Sequence, residues 1–144
     1  MTSEVCPTCP NLARSCSGAS ADPTLGAPAC ITDQSSKITT NPGGHSRLAV
    51  DGSTNQVFAD GSVTHTVGAS SGWWEVTLEA QHNKMEEIVI YGRSDCCYSR
   101  LLDIKVEVID HYGTTVHTLF GPSTLPLSPS PADLIFQFDL TSDG

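Results

Sequence analysis

In the stretch "LDIKVEVID", Ile104, Val106 and Val108 fall on one side of a two-residue period, and Asp103, Lys105 and Glu107 on the other. That period belongs to an extended chain, whose successive side chains point to opposite faces. "WWEVTLEA" sets Trp74, Val76 and Leu78 against Trp73, Glu75 and Thr77, and "DLIFQFDL" repeats the pattern with Leu134, Phe136, Phe138 and Leu140. "EEIVIYG" is a short β-branched run. Clusters of turn-forming residues separate these stretches: "AVDGSTN", "GASSG", "DHYGT" and "FGPSTLPLSPSP". No apolar spacing of helical period is sustained, and no repeat of solenoid or propeller length is present. The pattern predicts an all-β, antiparallel chain with two packed sheets. A short helical turn is expected at "VFADGS".

The length of 144 residues suits one domain with a two-layer core. Residues 1–45 are rich in Ser, Thr, Ala, Pro and Gly, and read as loop with short turns pinned by cysteines, packed on or continuous with the domain. Residues 46–144 carry the strands. Six cysteines are many for an intracellular domain of this size, and their even, clustered count favours disulfides and an oxidising compartment. Cys6 and Cys9 form a CxxC, but Cys16 and Cys30 are isolated and supply no second zinc knuckle. Nor does a strand–helix alternation follow, as a thioredoxin-like motif requires. The formal charge of −9, with seven Lys and Arg, argues against nucleic acid and against an anionic membrane surface. No apolar run approaches the roughly 20 residues of a membrane span. The N-terminus has no visible signal peptide, which fits a processed chain or a fragment rather than cytosolic residence.

An enzyme is not the expectation. There is no GxSxG elbow, no HExxH, and no paired carboxylates on a motif. The stretch "RSDCCYSR" instead offers the parts of a site for a neutral polar ligand such as a sugar. Arg93 and Arg100 supply fixed forks of donors for hydroxyl and ring oxygens. Asp95 can hold an arginine fork and offset the repulsion of the two cations. Cys96 and Cys97 are adjacent, so in a strand they cannot both staple one neighbour. Either each pairs elsewhere, or they bond to each other in a strained ring that presents a rigid apolar plate. His65, on an upstream loop, can donate from one ring nitrogen while the other is held. Singly, these residues read as surface ion pairs, a satisfied loop histidine and separate thiols or bridges. Jointly, at this spacing, a sugar site is the better reading.

The segments "LAVDGSTN", "GSVTHT", "SGWWEVTLEA" and "IVIYGRSDCCYSRLLDIKVEVID" resemble the F-type lectin (fucolectin) domain over roughly residues 47–140. The family's sugar motif is a histidine, an R-x-D after a gap in the mid-twenties, then Arg or Lys after four further residues. Here 27 residues separate His65 from Arg93, and four separate Asp95 from Arg100. The gap is about one residue longer than the usual form, which a loop insertion in "QHNKMEE" would absorb. The resemblance implies a jelly-roll β-sandwich of the galactose-binding-domain-like type that binds L-fucose and fucosylated glycans. It implies hydrogen bonds from His65, Arg93 and Arg100 to the sugar, and a carboxylate, Asp95, that orients the arginines. It further implies a Cys96–Cys97 vicinal disulfide packed on the sugar ring, and Phe58 beside the fucose methyl group.

It also implies a structural calcium near "AVDGSTN". Asp51 matches its carboxylate ligand and Ser62 a serine ligand, while Leu48 and Ser53 would give backbone oxygens. The family continues past the strand that "LIFQFDL" resembles, with further strands and an acidic residue that closes the calcium site. This sequence lacks both, so the resemblance predicts an incomplete calcium site in a fragment or in a domain closed differently, and Val63 stands where the family carries a cysteine. The resulting expectation is an extracellular lectin domain, with oligomerisation left open. The alternatives are a related recognition module without fucose specificity, or a targeting module of a larger enzyme or toxin. Trp74 is expected in the core.

Overall fold

The computed structural model describes residues 2–3, 30–68, 71–78, 81–82 and 85–141. The chain forms two compact units, one up to Lys84 and one from Met85. Cys6, Cys9 and Cys16, and the question of their pairing, lie outside the described residues. Among the described residues the elements are short strands and 3-10 turns. No helix there is long and apolar enough to cross a membrane.

In the first unit, β1 (Thr2–Ser3) pairs in parallel with β4 (Gln81–His82), and β2 (Cys30–Gln34) pairs antiparallel with β3 (Trp74–Leu78). The strand β2 corrects the reading of residues 1–45 as loop with short turns. β-branched Ile31 and Thr32 favour a pleated strand, and all five residues of β2 find a partner on β3, from Cys30 opposite Leu78 to Gln34 opposite Trp74. The alternation expected for β3 holds: Trp74, Val76 and Leu78 are half-buried, while Glu75 and Thr77 are exposed. Trp74 donates its indole N–H to the Ser46 carbonyl at 2.8 Å, at the start of the 3-10 turn Ser46–Val50. Trp73 is exposed. The helical turn expected at "VFADGS" forms over Phe58–Asp60.

In the second unit, β5 (Glu87–Tyr91) pairs antiparallel with β8 (Ile135–Asp139), and β6 (Lys105–Ile109) with β7 (Thr115–Phe120). Leu134, Phe136, Phe138 and Leu140 are all buried, as their alternation requires, and Leu134 is 1 % exposed. Ile88 lies opposite Phe138 and Ile90 opposite Phe136, so the β5 run and the β8 aromatics meet across one pair of strands. Strand β6 buries its Val106 and Val108 side more than its charged side. Strand β7 is not among the strands read from the alternation. Its half-buried residues are His117 and Leu119, while Val116 and Phe120 are exposed, so its hydrophobicity is out of phase with its burial. Asp110 makes the β6–β7 turn, accepting from the amides of Tyr112 and Thr114 at 2.9 Å each.

Candidate functional site

The site residues expected from the sequence divide between the units. In the first, His65 is fixed through its backbone. Its amide donates to the Gly44 carbonyl at 3.1 Å, and its carbonyl accepts from the Ile38 amide at 3.1 Å. The approach is close enough that a Cβ on Gly44 would sit 2.5 Å from His65 Cβ and 2.7 Å from its backbone nitrogen, so only glycine fits there. Gln34, at the end of β2, completes the frame. Its Nε2 donates to the carbonyls of Ser36 at 2.5 Å and Gly44 at 2.9 Å, and its Oε1 accepts from Thr64 Oγ1 at 2.6 Å. Sequence reasoning missed Gln34, because the segment that carries it gave no strand signal.

The His65 ring stands edge-on to Phe58, with centroids 5.5 Å apart and an interplanar angle of 65°. Both rings are half-buried. His65 Nδ1 lies 2.5 Å from the Thr66 carbonyl oxygen. A carbonyl can only accept, so Nδ1 carries the proton, and in the neutral ring Nε2 is an acceptor. With that proton on Nδ1, the nitrogen turned away from Thr66 is the acceptor of the neutral ring.

The loop after the Ser46–Val50 turn draws oxygens together. Asp51 accepts from the Ser62 hydroxyl through Oδ2 and from the Ser53 amide through Oδ1 at 2.8 Å. Leu48 lies in the turn itself, its amide donating to the His45 carbonyl at 3.1 Å. Asn55, not singled out from the sequence, joins Asp60 at 2.8 Å and caps the Val57 amide at 2.9 Å. Among the described residues no three His, Cys, Asp or Glu side chains cluster as a metal site. The Asp51 loop offers a single acidic group with hydroxyl and carbonyl oxygens. Such a set is all hard donors, and it suits calcium rather than zinc or copper.

In the second unit, Gly92 closes the end of β5. Its amide donates to the Leu134 carbonyl at 2.7 Å, and a Cβ there would lie 3.0 Å from that oxygen and 2.9 Å from Leu101 Cδ1. Arg93 follows. It makes a two-pronged bond to Asp95, Nε to Oδ1 at 2.5 Å and an Nη to Oδ2 at 2.9 Å. The side chains are 22 % and 28 % exposed, so the fork is pre-set near the surface by its own neighbour. Cys96 and Cys97 are bonded to each other, with Cα atoms 3.8 Å apart. This resolves the alternatives left by the sequence. Cys97 has φ 64°, a left-handed conformation uncommon in a residue with a side chain, and it opens the 3-10 turn Tyr98–Leu101 that carries Arg100. The Arg100 amide donates to the Cys97 carbonyl at 3.1 Å, which ties that cation's backbone to the ring. The second unit therefore sets a carboxylate-held guanidinium and a sulfur plate close in sequence, with the backbone of a second arginine tied to the plate. Guanidinium donors suit hydroxyl and ring oxygens, and a sulfur plate suits C–H faces.

A family profile described as "NedA-like, galactose-binding domain" matches residues 48–123. Among solved structures, a Streptococcus pneumoniae fucose binding module, SpX-3, is 34 % identical with a TM-score of 0.64, covering 76 % of this chain and 72 % of that one. An f-lectin (fucolectin) from striped bass serum is 26 % identical with a TM-score of 0.58, covering 78 % of this chain and 37 % of that one. Fucolectin-6 of Anguilla japonica is 37 % identical over 62 residues, which are 43 % of this chain and 33 % of the relative. The chain thus spans about a third of the length of that fucolectin. The fold class is the all-β sandwich of these proteins. The chain belongs to the NedA-like galactose-binding domain family, and within it to the F-type lectin domains.

Proposed function

We propose that this chain is a lectin domain that binds L-fucose and fucosylated glycans, and that it acts by recognition rather than catalysis. The observation that carries the reading is the "RSDCCYSR" segment, with Arg93 held by Asp95 and Cys96 bonded to Cys97. The similarity to fucose binding modules supports it. Arg93 and Arg100 donate to sugar oxygens. The sulfur plate packs on the C–H face of the ring.

The test is calorimetry with L-fucose. Arg93→Ala removes a charged donor, which costs about 1.5–3 kcal/mol, a loss of roughly tenfold to over a hundredfold in affinity. Equal affinity in wild type and variant overturns the assignment.

The proposal extends to calcium and to place of action. Asp51 and Ser62 side chains, with backbone oxygens of Leu48 and Ser53, are the ligands proposed for a calcium ion, which would brace the loop rather than touch the sugar. Calcium should raise Tm by a few degrees when well above its Kd. Chelator should reverse the shift, and Asp51→Ala should abolish it. A shift that persists in Asp51→Ala places the ion elsewhere. The Cys96–Cys97 bond, and a relative isolated from serum, support an extracellular setting.

A further inference from the structure

Beside the vicinal disulfide lies an open cleft of about 420 Å³, lined by Cys97, Tyr98, Leu102, Leu125, Leu127 and Pro129 among others. Cys97 belongs both to the sulfur plate and to the cleft wall, so the two surfaces are continuous. The cleft's far side comes from the stretch 125–129, in which Leu127 is fully exposed. A leucine held out in water beside a concave apolar wall is an unpaid hydrophobic contact. The volume exceeds what one ring substituent needs and falls in the range of small-ligand pockets.

The chemistry of the wall decides what enters. The wall is mainly leucine, proline, sulfur and the Tyr98 ring, with Ser99 and the Tyr98 hydroxyl as its polar side-chain groups, so a second sugar would find few partners for its hydroxyls there. An aromatic or alkyl group has no such penalty, and it gains contact with Tyr98 and the leucines. We propose that this cleft is a subsite for an apolar aglycone, an aryl or alkyl group linked to the sugar bound on the Cys96–Cys97 plate. The assignment rests on the fucose reading, and the experiment separates the two.

The experiment is calorimetry of the full chain with methyl α-L-fucoside and phenyl α-L-fucoside, on wild type, Leu127→Asp and Leu125→Asn. The expected result is about tenfold tighter binding of the phenyl glycoside by wild type, from the apolar area it buries. That advantage should vanish in Leu127→Asp, while methyl fucoside binds unchanged. Leu127 is exposed, so its replacement spares the fold, and Leu125→Asn checks a second residue on the same side of the cleft. Equal affinity of wild type for both glycosides overturns the subsite and leaves the fucose reading standing. So does a phenyl advantage that survives both variants, or an equal loss for both glycosides in Leu127→Asp. Failure of both glycosides to bind wild type overturns the fucose reading and this inference together, whereas failure of the phenyl glycoside alone overturns only the subsite.

Discussion

His65 and Arg93 each lie beside a glycine that lets backbone approach closely, yet the surroundings differ. Around His65 the frame is polar: Gln34, Thr64, Ser36 and Gly44 share hydrogen bonds, and Val50 is the buried apolar residue among those described in that unit. Around Arg93 the frame is apolar: Gly92 sits against Leu134, Leu101 and the Phe136 ring, and the segment facing it buries Leu134, Phe136, Phe138 and Leu140. Hydrogen bonds specify direction but add about 0.5–1.5 kcal/mol each in net terms. A buried aromatic contributes several times that. The first unit therefore directs its groups by hydrogen bonds, and the second rests Arg93 on packed side chains.

If this contrast is right, the largest loss of stability comes from the apolar frame. Phe136→Ala should cost about 3–5 kcal/mol, since the ring is 6 % exposed and leaves a cavity between β5 and β8. Denaturant titration checks it. A cost near that of a surface substitution would show that β8 does not carry the second unit.

The two glycines sharpen the comparison at a smaller scale. In Gly44→Ala the new methyl meets the His65 Cβ at 2.5 Å and backbone at 2.7 Å, and backbone cannot step aside. In Gly92→Ala the nearest atom is the end of a flexible leucine at 2.9 Å, with the Leu134 carbonyl at 3.0 Å. Gly44→Ala should cost about 3 kcal/mol and Gly92→Ala about 1 kcal/mol, at opposite ends of the usual range for overpacking. Thermal melts of the two variants decide the order, and the reverse order would mean that the loop around residue 44 yields more easily than strand β5.

The same contrast explains what could be read beforehand. Strands β3, β6 and β8 were legible because their hydrophobicity runs in phase with their burial, Leu134 through Leu140 most clearly. Strand β7 was not, because it turns His117 inward and leaves Val116 and Phe120 exposed. Gln34 was invisible because a hydrogen-bonding hub depends on which loops meet, and a single polar residue announces nothing of that. The Cys96–Cys97 bond stood as one of two alternatives, since adjacency alone fits both a ring and separate partners. The tautomer of His65 follows only from the position of the Thr66 carbonyl.

The smallest expected effect lies at the entry to β8. Ser130 and Asp133 form a reciprocal cap on the turn Pro131–Leu134: Asp133 Oδ2 accepts from the Ser130 amide at 2.8 Å and hydroxyl at 2.7 Å. The Ser130 hydroxyl and then its amide hold the Asp133 carboxyl below the ordinary aspartate value. Asp139 is lowered in the same way by the hydroxyl and amide of Thr141. A carboxylate whose pKa is depressed on folding lends stability that is present above its unfolded pKa and lost as pH falls through the folded one. Both groups are fully exposed, so the contribution is small. The Tm gap between wild type and Asp133→Ala should therefore be modest near neutral pH, constant down to about pH 4, and closing below it. Calorimetric melts across that range measure it. A gap that stays constant below about pH 3 would mean that Asp133 supports β8 through its shape rather than its charge.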